Sequence, residues 1–143
     1  MADITLRVAA KAVIINEEGK VLLVREANSY ADGTNVGKYQ IPGGRLDVGE
    51  SYEEGLKREA KEETGLEVEP MYPVYVGEWR PVIRGEQYQI IAVFTVCKAK
   101  SLDIKLSDEH DDFMWVNPAN LPENIVITNP DPEVLAAYDK LKR

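Results

Sequence analysis

The sequence holds one cysteine and one histidine. A lone cysteine excludes an intrachain disulfide. Its setting in the apolar run IIAVFTVCK (Ile90 to Lys98) reads Cys97 as a small buried hydrophobe. With a single imidazole at His110, a Cys/His zinc site has too few ligands, and little of a Ser-His-Asp or Cys-His set can be built. No run of 18 apolar residues occurs, so no membrane-spanning helix is expected. Basic side chains are outnumbered, with 17 Lys+Arg against 25 Asp+Glu and a net charge of −8. That balance argues against gripping duplex nucleic acid, where cations must meet phosphates. It leaves small phosphorylated ligands open, because a metal ion can neutralise both sides. The opening residues MADITLRVAA lack a basic stretch followed by an apolar one, so no secretory signal is expected. Sparse cysteine and no expected signal point to the cytoplasm.

What is present is an ordinary globular composition, 44% hydrophobic and 29% charged, and residues 1–143 are read as one domain. VAAKAVIIN (Val8 to Asn16), the glycine-bearing turn EEGK and VLLVRE form a predicted hairpin. The polar stretch ANSYADGTNVGK follows as a long loop of the kind that usually carries function. YQIP is a short strand stopped by Pro42, with Gly43 and Gly44 expected to make a tight bend. SYEEGLKREAKEETG reads as a helix with both ends marked: Ser51 and Glu54 fit a capping box, and Gly65 fits the C′ position. Tyr52, Leu56 and Ala60 recur at helical spacing and should face the core. YPVYVGEW, QYQIIAVFTVCKA and DFMWV read as strands. NPDPEVLAAYDKLKR reads as a closing helix capped by Asn129 or Asp131. Strands outnumber helices and do not alternate with them, which predicts an α+β fold with a partly antiparallel sheet.

One short stretch stands out. In REAKEETG (Arg58 to Gly65), helical spacing sets Glu59 beside both Glu62 and Glu63, although like charges there repel. A solvated acidic face, eased by Arg58 reaching Glu54 and Glu62, is one reading. A cation site is the other. The cluster lies near the helix C-terminus, where the dipole disfavours negative charge. Gly55 interrupts the helix at a cost of about 1 kcal/mol relative to Ala; close approach of another backbone or a ligand would explain it, and tight packing of helix on sheet, slightly preferred, would too. The glycine-rich PGGRLDVGE precedes the helix and can bring backbone close to a ligand. Oxygen ligands at this density suit Mg²⁺ or Mn²⁺.

From Gly44 to Leu66 the order is Gly, five residues, Glu50, seven residues, Arg58-Glu59, Ala60, one residue, Glu62-Glu63, one residue, Gly65 and Leu66. This resembles the signature of the Nudix hydrolases, MutT-like enzymes among them, with Ala60 smaller than the usual aliphatic. The resemblance implies a Nudix fold: a mixed β-sheet sandwiched between α-helices, with a loop–helix–loop catalytic motif. It implies divalent-metal-dependent hydrolysis of a nucleoside diphosphate linked to another group. By position, Glu59, Glu62, Glu63 and the carbonyl of Gly43 would hold Mg²⁺ or Mn²⁺. Glu59 or a later glutamate such as Glu62 would take a proton from water, and Arg58 would orient a glutamate of the box through Glu50.

A further ligand is expected from SDEHDD (Ser107 to Asp112), with Glu109 preferred over Asp108, Asp111 and Asp112. His110 is read as a surface residue, Trp115 as core and Trp79 as a candidate for stacking on a base. GTNVGKY misses the P-loop spacing, and DIKLSDEHDD lacks the central glycine of an EF-hand. Compact size resembles the MutT-type nucleoside triphosphate pyrophosphohydrolases. Pro81, fifteen residues past Leu66, resembles ADP-ribose-cleaving relatives. Nucleoside triphosphates rank first and ADP-ribose or a nucleotide sugar second. A non-catalytic nucleotide sensor would be expected to lose glutamates of the box, and here all are present. The expected partner is a nucleotide-type small molecule, with no duplex nucleic acid and no membrane; a homodimer stays open.

Overall fold

The computed structural model of the chain describes residues 3–27 and 35–142. The hairpin forms as expected: β1 (Ile4–Ile15) returns as β2 (Val21–Glu26) in antiparallel pairing. Asn16 closes the turn, its side-chain oxygen accepting from the amides of Glu18 and Lys20. Most of the long loop after β2 falls at residues 28–34, outside the described residues. Then follow β3 (Tyr39–Gln40), β4 (Gly43–Arg45), α1 (Tyr52–Thr64), β5 (Val68–Trp79), β6 (Val82–Ile83), β7 (Glu86–Ala99), β8 (His110–Val116) and α2 (Asp131–Lys142).

The strands form one mixed sheet whose main path runs β3-β2-β1-β7-β5, with β4 paired to β1, β6 to β7 and β8 to β2. Its parallel strand pairing joins β1 to β7, from Ile4 opposite Gln87 to Ile15 opposite Lys98, and an isolated parallel bridge joins Tyr39 to Ile127. The sheet is therefore mixed, and a helix covers each face. Side-chain alternation along β1 divides the core. Ala10, Ala12 and Ile14 pack with Leu56, Ala60 and Leu66 around α1. Ala9 and Val13 pack with Phe94, Val134, Leu135 and Tyr138 beneath α2. Pro70 and Pro73 are tolerated in β5 because it is an edge strand, and its register shifts at both.

Helix α1 starts and stops where its sequence marks it. Ser51 is extended and accepts from the Glu54 amide at 3.1 Å. Gly65 is left-handed at φ 76°, its amide bonded to the Lys61 carbonyl. Three expectations are corrected. Gly43 and Gly44 do not make a bend. They lie in β4, opposite Lys11 and Ala10 of β1, because the chain after Pro42 stays extended to complete that ladder. Gly55 does not serve contact with the sheet. A Cβ there would overlap Leu46 and come 2.8 Å from Glu50 Oε1, so the glycine seats the preceding loop on the helix. In α2, the Asp131 carboxylate is engaged elsewhere, accepting from the Ile41 amide at 2.6 Å, while the Pro130 carbonyl takes the amides of Glu133 and Val134.

Candidate active site

Arg58 organises the loop–helix junction. Its Nε and Nη2 donate to the two Glu50 carboxylate oxygens at 3.0 and 2.7 Å. Nη2 also donates to the Arg45 carbonyl, and Nη1 to Glu59 at 2.9 Å and Glu62 at 3.2 Å. This fork fixes one planar guanidinium to three carboxylates, which a lysine could not do. Glu54 does not belong to the fork. The Arg58 hydrogen bonds, then the Asp47 amide, hold Glu50 down at about 2.

Behind the fork the carboxylates become buried. Gly44 allows this: a Cβ there would lie 2.5 Å from Glu59 Oε2. Burial raises the Glu59 pKa, against the pull of Arg58. Glu63 is 7% exposed and accepts from the Gly43 amide at 3.1 Å. Burial pushes its carboxyl up to about 8; Lys11 and the Gly43 amide oppose this, while Glu59 and Glu109 add to it. Glu63 and Glu109 each bring an oxygen, and His110 a ring nitrogen, within 4.8 Å of one another. Glu59 adjoins this group and feels the charge of Glu109. Glu62 does not join it: its side chain is 57% exposed and turned to Arg58.

The acidic loop sorts its members by partner. Asp111 pairs with Arg25 at 2.7 Å, and Asp112 accepts from the Tyr39 hydroxyl at 2.6 Å. Glu109 is the member that meets Glu63. His110 corrects the sequence reading: it is 6% exposed, with Nε2 at 3.7 Å from Glu63. Gln40 Nε2 and Ser107 Oγ flank its ring nitrogens at 3.3 Å each. Burial, then the Lys11 charge, pushes its pKa down to about 4. Along β8 the odd positions 111 and 113 are exposed while 110, 112, 114 and 116 are more covered. That alternation appears only once the strand is in place, since the residue types in HDDFMWV do not alternate in step with it.

The donor set fits a hard divalent cation. Carboxylate oxygens dominate it, and the buried Glu63 needs a counter-charge to ionise at neutral pH. Glu63, Glu59 and Glu109 are the side chains suited to hold one, with the Gly43 backbone beside them.

These shifts predict an unusual pH response in cation-free protein. A carboxyl raised from an ordinary 4.5 to about 8 favours the folded state while protonated. Its contribution is complete below about 4.5 and is lost as pH rises to about 8. His110, lowered from 6.5 to about 4, acts oppositely, costing stability as pH falls through that window. Melting temperature in chelator should therefore decline by several degrees between pH 6 and 8. Glu63→Gln should flatten that decline, and a thermal-melt series over pH checks both.

Beside the cluster, on the α2 face of the sheet, lies an open groove of about 1360 Å³. Trp79, Tyr75, Ile90 and Ile127 line its apolar side, Lys11, Lys38, Arg45 and Arg84 bring positive charge, and Glu78, Glu86 and Asp131 bring carboxyl groups. Trp115 packs instead with the α1-side core. Cys97 is fully buried, which pushes its thiol up to about 12 and leaves it outside any chemistry.

Comparison with known proteins bears directly on this arrangement. The chain is 33% identical over 142 residues to the RNA pyrophosphohydrolase of Erythrobacter litoralis (strain HTCC2594), covering 87% of this chain and 84% of that protein. It is 31% identical over 116 residues to the nucleoside triphosphatase NudI of Salmonella agona (strain SL483), covering 76% and 80%. The crystal structure of the MutT protein from Methanosarcina mazei Go1 matches with a TM-score of 0.80 at 26% identity, covering 100% of this chain and 99% of that one. The family model described as NUDIX domain matches residues 5–138, so the chain belongs to the Nudix family.

Proposed function

We propose that this Nudix hydrolase cleaves a nucleoside triphosphate to a nucleoside monophosphate and pyrophosphate, using Mg²⁺ or Mn²⁺. The observation that carries the reading is Glu63: a buried carboxyl, tied to the Gly43 amide and gathered with Glu109 beside a groove that Lys11, Lys38 and Arg45 help to line. Glu59, Glu63 and Glu109 would hold the cation, with the Gly43 carbonyl joining them and Glu62 contributing from the exposed side. Such an ion polarises phosphoryl oxygens and acidifies water.

The chain's own residues supply the rest. Arg58 holds Glu50, Glu59 and Glu62 in fixed relation, so the carboxylates need not reorganise during reaction. Glu59, half-buried and with a raised pKa, is the candidate to take a proton from water as it attacks phosphorus. One water adds across one phosphoanhydride bond, and no covalent enzyme intermediate is needed when the groups are held in line. Trp79 offers an aromatic wall for a base in the groove. Among the described residues, no helix is long and apolar enough to cross a membrane. We place the protein in the cytoplasm as a single Nudix domain.

ADP-ribose is the second reading, favoured by Pro81 in the groove lining beside Trp79. A panel of nucleoside triphosphates, ADP-ribose and nucleotide sugars, assayed with Mg²⁺ or Mn²⁺, separates the two. Triphosphate hydrolysis should yield monophosphate and pyrophosphate. Preferential release of AMP and ribose 5-phosphate from ADP-ribose would move the assignment to the second reading. Binding without turnover across the panel would instead describe a sensor.

A further inference from the structure

We propose that Lys11 is a phosphate-binding residue that grips the nucleotide where the groove meets the carboxylate cluster. The inference rests on the nucleotide reading above and names a contact within it.

Lys11 is out of keeping with its surroundings. Its neighbours on β1, Ala9, Ala10, Ala12 and Val13, are all buried and apolar. A lysine there interrupts the core side of a central strand, held between Gly43 of β4 and Phe94 of β7. It shares the α2 face with Ala9 and Val13, and it lines the groove. Lys38 follows a loop and Arg45 is exposed at the end of β4, whereas Lys11 is carried by the middle of the sheet. A contact borne by a rigid strand is the better placed to set a ligand's position.

Its ammonium has no hydrogen bond or ion pair among the described residues. The carboxyls that feel its charge already have other partners. Glu63 accepts from the Gly43 amide, and Asp131 from the Ile41 amide. A half-buried cation without a partner carries a desolvation cost that an arriving anion would relieve. Its charge reaches Glu63, and its side chain lines the groove. A phosphate placed there would meet three N–H donors on one compact charge, which suits a tetrahedral anion.

The test reads binding rather than turnover. Inorganic pyrophosphate and ADP, each with Mg²⁺, are titrated calorimetrically into wild type, Lys11→Met, Lys11→Gln, Lys11→Arg and Lys57→Met. Lys57, exposed on α1 and paired with Glu53, controls for net charge. Lys11→Met and Lys11→Gln should weaken both probes by about tenfold or more. Lys11→Arg should stay within about threefold of wild type, Lys57→Met should bind normally, and adenosine should respond to none of the changes. The two neutral variants guard against a failure of either to fold. Wild-type affinity in both, loss equal to that of Lys57→Met, or no binding of either probe by wild type would overturn the proposal. A protein that binds pyrophosphate through Lys11 yet hydrolyses no triphosphate would overturn the substrate reading alone.

Discussion

Glu63→Gln lowers turnover by about three orders of magnitude, roughly 4 kcal/mol of barrier, and leaves the fold intact. The first half of the expectation follows from charge. Glu63 is the buried member of the box, and it stands with Glu109 where a cation would sit. Glutamine keeps the shape and removes the buried negative charge that a cation would draw on beside Glu109. The second half follows from protonation. In cation-free protein the carboxyl keeps its proton up to about 8, so a neutral amide replaces a neutral acid at pH 7. The Gly43 amide keeps its acceptor. Circular dichroism should match wild type at pH 7 while kcat collapses, and in chelator the variant should melt no lower than wild type, because the unfolded wild-type carboxyl ionises at that pH and glutamine does not. Glu62→Gln is the informative comparison. Glu62 is exposed and bound to Arg58, outside the close group, so its loss should cost only about tenfold. Equal damage from the two would show that burial does not rank the carboxylates. Near-normal turnover in Glu63→Gln would remove it from the site.

The parts legible in the sequence are those whose causes are local. Ser51, Glu54 and Gly65 bound α1 through contacts within a few residues, and the helix forms between them. Glu59, Glu62 and Glu63 adjoin because helical geometry leaves them no choice. The Arg58 fork to Glu50 likewise spans one short loop. What the sequence hid depends on distant partners. Nothing near Gly43 reveals that it will pair with Lys11 of β1 and donate to Glu63. The long parallel pairing of β1 with β7 brings together segments separated by most of the chain. Asp131 looks like a helix cap by spacing, but the Ile41 amide, ninety residues away, takes its carboxylate. His110 sits in an acidic, seemingly solvated run, and only the pairing of β8 with β2 turns it inward. The resemblance carried the box across this gap, since it encodes the outcome of long-range packing that spacing alone does not.

Gly43→Ala should destabilise the protein by about 3 kcal/mol, lowering its melting temperature by about 10 °C, the largest stability change expected from adding one methyl group to this site. Gly43 has φ 146°, a conformation that side chains rarely adopt. An added Cβ would overlap the Ala10 carbonyl oxygen and lie 2.7 Å from Lys11 Cα. Both neighbours are backbone of a central strand, bonded into the sheet on either side, so neither can yield cheaply. Gly49→Ala separates strain from collision. Gly49 also has positive φ, 92°, but its Cβ would meet nothing within 4 Å, so only a conformational cost of about 1 kcal/mol applies. Because the Gly43 amide holds Glu63, shifting β4 away from β1 also moves the buried carboxylate. Gly43→Ala should therefore lose turnover in the fraction that remains folded, whereas Gly49→Ala should keep it. Chemical denaturation and kcat on both variants check the pair. Equal stabilities would mean that β4 yields freely, and a strand that yields cannot be what fixes Glu63 beneath the groove.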